Sequence, residues 1–157
     1  MKIHIVKVIT KVSLLAAMLV VTSVASTQGQ SLAYRIKVEI PFDFSVGDKK
    51  LPAGTYSVSR VSQTSGDNVI AITGDDGRSK VIRLSNSAQR LHATDRATLV
   101  FHRSGDQYFL FQVWPAGATT GRQFPKSRSE QEIRKNLAEN SPKVNMVESV
   151  TIVGVLQ

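Results

Sequence analysis

Apolar and polar residues alternate along the first part of the chain, between Leu32 and Val46. A period of two is the pattern of a β-strand with one buried and one exposed face. It predicts one long first strand, which should bend or lie at a sheet edge near Pro41 because proline cannot donate a ladder hydrogen bond. The apolar members of the pattern are Leu32, Tyr34, Ile36, Val38, Ile40, Phe42, Phe44 and Val46.

Shorter apolar runs, separated by turn-forming residues, predict further strands. Leu51-Pro52-Ala53-Gly54 is typical of a tight turn, and Asp76-Gly77 between two β-branched runs indicates a hairpin. A second hairpin is expected to turn at residues 104–107. The predicted strands cover residues 55–61, 69–73, 80–84, 97–103, 108–114 and 144–156, and the predicted loops cover residues 62–68, 85–96 and 115–125.

A single helix is predicted late in the chain. Ser127 and Glu130 have the spacing of a capping box, and Ile133 and Leu137 lie one helical turn apart. The last strand carries apolar residues in both registers, so we expect it to close the sheet beside the first strand. The predicted fold is all-β, an antiparallel β-sandwich or small barrel of about seven strands with one short helix near the C-terminus.

Residues 1–25 have the pattern of a cleaved signal peptide. Lysines precede an apolar run that ends in the small residues Ser23-Val24-Ala25, which a signal peptidase accepts. The apolar run is shorter than the about 20 residues that cross a bilayer. We therefore expect residues 26–157 to form a single exported β domain, periplasmic or extracellular, with no transmembrane span.

Composition sets further limits on this domain. A chain of 157 residues with 41% hydrophobic residues suffices for one modest core. It contains no cysteine, so no disulfide framework is available. The formal net charge of +8 becomes +5 without the three lysines of residues 1–25. The charges are interspersed rather than gathered in a long basic run, and we expect no nucleic-acid partner.

Residues with catalytic side chains occur, but not in catalytic patterns. His102, Ser104 and Asp106 supply the residue types of a triad, yet they are crowded onto one turn. Asp75 and Asp76 lack the further spaced ligands of a calcium loop. We therefore predict no catalytic residue, no metal site and no cofactor.

The predicted strand at 108–114 is apolar on both faces. Strict alternation places Phe109, Phe111 and Val113 on one face and Tyr108, Leu110 and Trp114 on the other. The second face could stack on a sugar ring or another flat ligand. Alternatively, the helix covers it through Ile133 and Leu137. The candidate ligand-binding residues are Tyr108, Leu110, Trp114, Arg103 and Arg122.

Several blocks of sequence carry a family resemblance. They are Ile40 to Gly47, Leu51 to Tyr56, Gly105 to Leu110 with Val113-Trp114, and Gly121-Arg122 followed by Pro125 to Arg128. In their order and spacing the chain resembles an uncharacterised family of small exported β proteins from Acidobacteria and related soil bacteria. The resemblance implies an exported β domain, and it carries no reaction, ligand or functional residue.

These observations favour an exported, non-catalytic binding or envelope-associated structural module. Its partner would be an envelope polymer or another exported protein. One alternative is an enzyme that acts on an extracellular or cell-envelope polymer, which predicts His102, Asp106 and another ionisable group together at the base of a cleft. The other alternative is a protein–protein interaction module whose last strand or helix docks on a partner.

Overall fold

The computed structural model describes residues 35–61, 68–140 and 148–156. Four predicted features lie wholly or partly outside these residues: the signal peptide at 1–25, the start of the first strand, most of the loop at 62–68, and the start of the last strand at 144–147. Within the described residues the chain is mostly β, with one helix near the C-terminus.

The described elements follow one another from β1 to β11, with α1 before the last strand. The strands are β1 (Arg35–Ile40), β2 (Phe44–Val46), β3 (Lys49–Leu51), β4 (Gly54–Arg60), β5 (Val69–Gly74), β6 (Lys80–Leu84), β7 (Asn86–Gln89), β8 (Ala97–Ser104), β9 (Gln107–Trp114), β10 (Thr120–Gln123) and β11 (Glu148–Leu156). The helix is α1 (Arg128–Asn140).

These strands form one mixed sheet in the order β3-β2-β9-β8-β11-β1-β4-β5-β6, with β10 joining β9 to β7. The two ends of this order approach each other, since Lys49 Nζ on β3 donates to the carbonyl oxygen of Lys80 on β6 at 2.8 Å. The sheet is therefore nearly closed and barrel-like. The prediction of about seven antiparallel strands is wrong in two respects: eleven strands are described, and β2 runs parallel to β9.

The predicted long first strand is two strands with different neighbours. β1 lies between β4 and β11, whereas β2 lies between β3 and β9. The chain changes neighbours across Pro41–Asp43, where Pro41 has no N–H to donate and Asp43 Oδ1 accepts a hydrogen bond from the Ala53 N–H at 2.8 Å. The sequence pattern continues through this change because both strands face the same core.

Two segments predicted to be loops contain short strands. β7 lies within residues 85–96 and β10 within residues 115–125, and the two pair with each other from Asn86 to Gln89 and from Thr120 to Gln123. Their side chains are mostly polar and neither strand shows apolar alternation. Backbone pairing alone defines them, which explains why the hydrophobic pattern did not predict them.

The prediction that the last strand closes the sheet beside the first is confirmed. β11 pairs antiparallel with β1 at Ile36 and Lys37, and with β8 along most of its length. Gly154 makes this approach possible, because a methyl group there would lie 2.6 Å from Cγ2 of Ile36. The inward side chains of all these strands fill one continuous core, whose largest fully buried members include Tyr56 and Phe101.

Helix α1 begins as the capping box predicts. Ser127 Oγ accepts a hydrogen bond from the Glu130 N–H at 3.1 Å, which satisfies one of the free donors at the helix start. No described helix combines the length and the hydropathy that a membrane crossing needs.

Candidate functional site

A β-bulge in strand β9 divides the predicted ligand-binding face. Val100 pairs with Gln112, but the next residue, Phe101, pairs with Leu110, so Phe111 has no partner on β8. The extra residue reverses which side chains face inward beyond it. Tyr108 and Leu110 therefore face the core, whereas Trp114 faces the other side of the sheet. The prediction of one face shared by these three residues is wrong.

Trp114 is buried on the outer side of the sheet under polar cover. The guanidinium of Arg90 lies 4.6 Å from the centre of its ring, and Gly121 on β10 packs against the indole. The indole N–H donates to Gln112 Oε1 at 3.1 Å. With 6% of its surface exposed, Trp114 offers no free ring face to a ligand.

Tyr108 lies at the end of the core, in a group of aromatic rings. Its ring stacks on Phe42 with centres 4.0 Å apart, and Phe42 meets Phe101 edge to face at 5.3 Å. The Arg103 guanidinium lies 5.9 Å from the centre of the Tyr108 ring. Arg103 also donates to Glu148 Oε2 at 3.1 Å. The structure thus brings Tyr108 and Arg103 together, but as part of the packing at this end.

The two remaining predicted residues lie apart from this end. Leu110 is buried in the core, with 4% of its surface exposed. Arg122 lies on β10, where it pairs with Val113 on one side and Ser87 on the other. The five candidate residues therefore do not form one surface.

A groove of about 390 Å³ opens next to Tyr108. It lies where β2, β3 and the turn between β8 and β9 meet, and it combines an apolar part with polar and charged side chains. Asp43, Lys50 and Asp106 are exposed there, and the Asp43 carboxylate is anchored by Ala53. The lining residues are Asp43, Phe44, Ser45, Lys50, Leu51, Pro52, Asp106, Gln107 and Tyr108.

The turn below the groove is fixed by a buried tyrosine. The Tyr56 hydroxyl donates to the carbonyl oxygen of Pro52 at 2.7 Å. Burial raises the pKa of Tyr56 above its usual value of 10.0, so the hydroxyl keeps its proton for this bond. Pro52 and Leu51 are therefore held in place on one wall of the groove.

His102 has a different partner from the one that a triad would require. Its Nδ1 lies 3.0 Å from Glu130 Oε1 on helix α1, and its ring stacks on Phe111 at 3.8 Å. Asp106 lies exposed in the β8–β9 turn and lines the groove instead. The side chains of His102 and Glu130 are both almost fully buried, and their contact attaches α1 to β8.

The acidic hairpin at Asp75 and Asp76 is held by ordinary turn contacts. Asp75 pairs with Lys37 at 2.8 Å, and Asp76 Oδ1 accepts hydrogen bonds from the N–H groups of Arg78 and Ser79. The Ser79 bonds lower the pKa of Asp76 below its usual value of 3.8. Among the described residues, no three side chains of His, Asp or Glu are placed to hold a metal ion together.

Comparisons with protein-family models, curated proteins and solved structures found no match.

Sequence reasoning missed most of the groove residues. Asp43, Lys50 and Gln107 lie in or next to turns, where polar residues are ordinary. They converge because β2 pairs in parallel with β9 while β3 folds back beside β2. A parallel contact between such distant segments leaves no local pattern, although the bend predicted near Pro41 lies close to the point where the chain changes neighbours.

Proposed function

We propose that this protein is an exported binding module without a catalytic centre, and that its ligand occupies the groove next to Tyr108. The observation that carries the proposal is the mixed lining of that groove. Leu51, Pro52 and Tyr108 offer apolar contact, and Asp43, Asp106 and Gln107 offer hydrogen-bonding groups around it. Binding sites commonly combine apolar walls with a few converging polar groups.

This lining suits a small hydroxyl-rich ligand, such as a sugar unit of an envelope polymer. Carboxylates accept hydrogen bonds from hydroxyl groups, and an amide can both accept from them and donate to them, while apolar walls contact the C–H faces of the ligand. One face of the Tyr108 ring is already stacked on Phe42, so that face is not available to a ligand. Lys50 offsets part of the charge of Asp43 and Asp106, which favours a neutral ligand over a strongly charged one.

Export supports the same proposal from the sequence. The signal-peptide pattern of residues 1–25 would place the groove where envelope and extracellular polymers are found. An envelope-associated structural role is compatible with this placement, because a groove that binds a polymer unit would also attach the protein to the polymer.

The enzyme alternative has one observation in its favour, since Asp43 and Asp106 line the same groove. Glycoside hydrolysis uses two carboxylates that flank the bond to be broken. However, Asp43 is held by the Ala53 N–H, and Lys50 lies in the same lining. A fixed, hydrogen-bonded carboxylate is well suited to position a ligand, so we favour binding.

The test is a ligand screen of the purified protein by melting temperature and by chemical-shift mapping, with neutral and charged oligosaccharides. We expect a neutral oligosaccharide to shift the amide signals of Gln107 and Tyr108. D106N should weaken that binding about tenfold, through the loss of a charged hydrogen bond. D95N is the matched control, because Asp95 is exposed and lies outside the groove lining.

Two results would contradict the proposal. Shifts confined to residues away from the groove would place the site elsewhere. The protein could also release reducing ends from the oligosaccharide. If D106N but not D95N lost this activity, the groove would be a hydrolytic site rather than a binding site.

A further inference from the structure

The sheet has a seam between strands β3 and β6, which are the two ends of the strand order. Within the described residues, β3 pairs only with β2, and β6 pairs only with β5. The two strands are joined across the seam by long side chains. Lys49 reaches the carbonyl oxygen of Lys80, and the Arg83 guanidinium lies against Gly47 in the β2–β3 turn.

The backbone of β6 presents unpaired groups to this seam. In an antiparallel ladder, alternate residues direct their N–H and C=O groups to the same side. The Lys80 carbonyl faces β3, whereas Ser79 bonds to Gly74 on the β5 side. The backbone groups of Ile82 and Leu84 therefore also face the seam, and no described strand pairs with them.

The side chains next to the seam have a definite pattern. Ile82 and Leu84 lie on the outer face of β6, with 51% and 64% of their surfaces exposed. Arg83 lies on the opposite face, since it pairs with the fully buried Ile70. Lys49 has the same inward register, because it pairs with the fully buried Val46. An added strand would thus meet apolar side chains on one face and cations on the other.

We propose that this seam is a strand-addition site for an extended, acidic segment of another exported protein. The segment would pair with β6 through the backbone groups of Ile82 and Leu84. Its outward side chains would be apolar, to cover these two residues, and its inward side chains would be acidic, to meet Lys49 and Arg83. Lys80 and Lys50 add further positive charge near the seam. The acidic residues nearby are Asp48 in the β2–β3 turn and, in the β5–β6 turn, Asp75 and Asp76, of which Asp75 pairs with Lys37 and Asp76 bonds to Ser79.

The cations also explain why the seam would select its partner. Lysine on an edge strand and an inward-pointing charge are two ways in which proteins prevent edges from pairing with each other. Two copies of this chain would bring like charges together, whereas an acidic strand would neutralise them. The occupant that fits is therefore a different chain with opposite charge.

The test uses a blocked synthetic peptide, Glu-Val-Glu-Val-Glu-Val-Glu, titrated into the purified protein. The comparison peptides replace glutamate by lysine, or the central valine by proline. We expect only the uninterrupted acidic peptide to bind at concentrations up to about 1 mM. Its binding should slow amide exchange at Ile82 and Leu84.

Two variants of β6 separate backbone pairing from side-chain contact. I82P removes the N–H that faces the seam and leaves the bonds to β5 in place, so it should weaken peptide binding about tenfold or more. I82T changes the side chain but keeps the N–H, and it should retain most of the affinity. Circular dichroism and melting temperature check that both variants are folded.

A charge reversal provides an independent test should I82P not fold. K49E combined with R83E should weaken binding of the glutamate peptide and allow the lysine peptide to bind. The proposal is overturned by equal affinity of the wild type and I82P for the acidic peptide, or by no binding of that peptide to the wild type. It is also overturned if the protein alone is a dimer that I82P converts to a monomer, because the occupant is then a second copy.

Discussion

The sheet is joined in two different ways on its two sides. On one side, β11 is inserted between β8 and β1 and bonds to both through the backbone. On the other side, β3 and β6 share no backbone ladder within the described residues, and long side chains connect them: Lys49 reaches the carbonyl oxygen of Lys80, and Arg83 lies against the β2–β3 turn. We call these the closed side and the open side. Both proposed binding surfaces involve the open side, since β3 contributes to the groove and to the seam.

The difference indicates how stability and binding are divided within one small fold. Backbone ladders and buried apolar side chains hold the closed side together. These groups could contact a partner only if this part of the protein unfolded. The open side keeps backbone groups, apolar side chains and charges available. Removing contacts should therefore cost much stability on the closed side and little on the open side.

The largest effect is expected for G154V, on the closed side. The new side chain would overlap Ile36 Cγ2, which lies in the core, and the backbone carbonyl oxygen of Lys37. Overpacking of this kind should lower the free energy of unfolding by about 3 kcal/mol. Chemical denaturation measures it, with T151V, an exposed position on the same strand, as the control. Equal stability of the two variants would contradict the tight approach of β11 to β1.

The next effect is expected for E130A, which removes the contact of α1 with β8. The buried His102 would lose its partner at Nδ1, at a cost of about 1–3 kcal/mol. E132A, at an exposed position of the same helix, should change stability by less than about 0.5 kcal/mol. If the two variants melted alike, the His102–Glu130 contact would not be what attaches the helix.

A smaller effect is expected when both long side chains are removed from the open side. K49A combined with R83A should lower the free energy of unfolding by less than about 1 kcal/mol, because exposed charged contacts contribute little. Denaturation in the same buffer as the G154V variant gives the comparison directly. A loss as large as that of G154V would show that the seam holds the fold together.

The smallest effect is expected from the Asp76 turn, next to the open side. The lowered pKa of Asp76 means that its carboxylate form stabilises the turn above pH 3.8, its usual value. That contribution should be lost as the pH falls below 3.8 toward the lowered value, and it should be absent at all pH values in D76N. Amide exchange of Ser79, followed against pH in both proteins, measures it. Identical pH profiles of Ser79 exchange in the wild type and D76N would show that the Asp76 carboxylate does not stabilise the turn.

The sequence predicted the parts of the fold that local patterns encode. The hairpins β5–β6 and β8–β9, the helix start at Ser127 and the position of the last strand followed from alternation, turn residues and capping. The bulge at Phe111 could not be predicted, because residues 108–111 are all apolar and either register fits the pattern. Because of that one extra residue, Trp114 and Tyr108 lie on opposite faces of the sheet, and the predicted binding face does not form.

The groove and the seam depend on contacts between distant segments. The parallel pairing of β2 with β9 brings Asp43 and Asp106 to the lining of the same groove, and no local pattern in the sequence indicates it. The seam lies between β3 and β6, which are distant in sequence and form the two ends of the strand order. Tyr108 was chosen from the sequence for its ring face, yet one face of its ring is stacked on Phe42.

The most direct test of the open side is residue-resolved amide exchange of the free protein. Alternate residues of β6 act as internal controls, because Val81 and Arg83 bond to β5 while Ile82 and Leu84 face the seam. We expect slow exchange at Val81, at Arg83 and at the β11 residues whose N–H groups face β8, and fast exchange at Ile82 and Leu84. Protection of Ile82 and Leu84 equal to that of Val81 and Arg83 would mean that the seam is already filled, and would contradict the account.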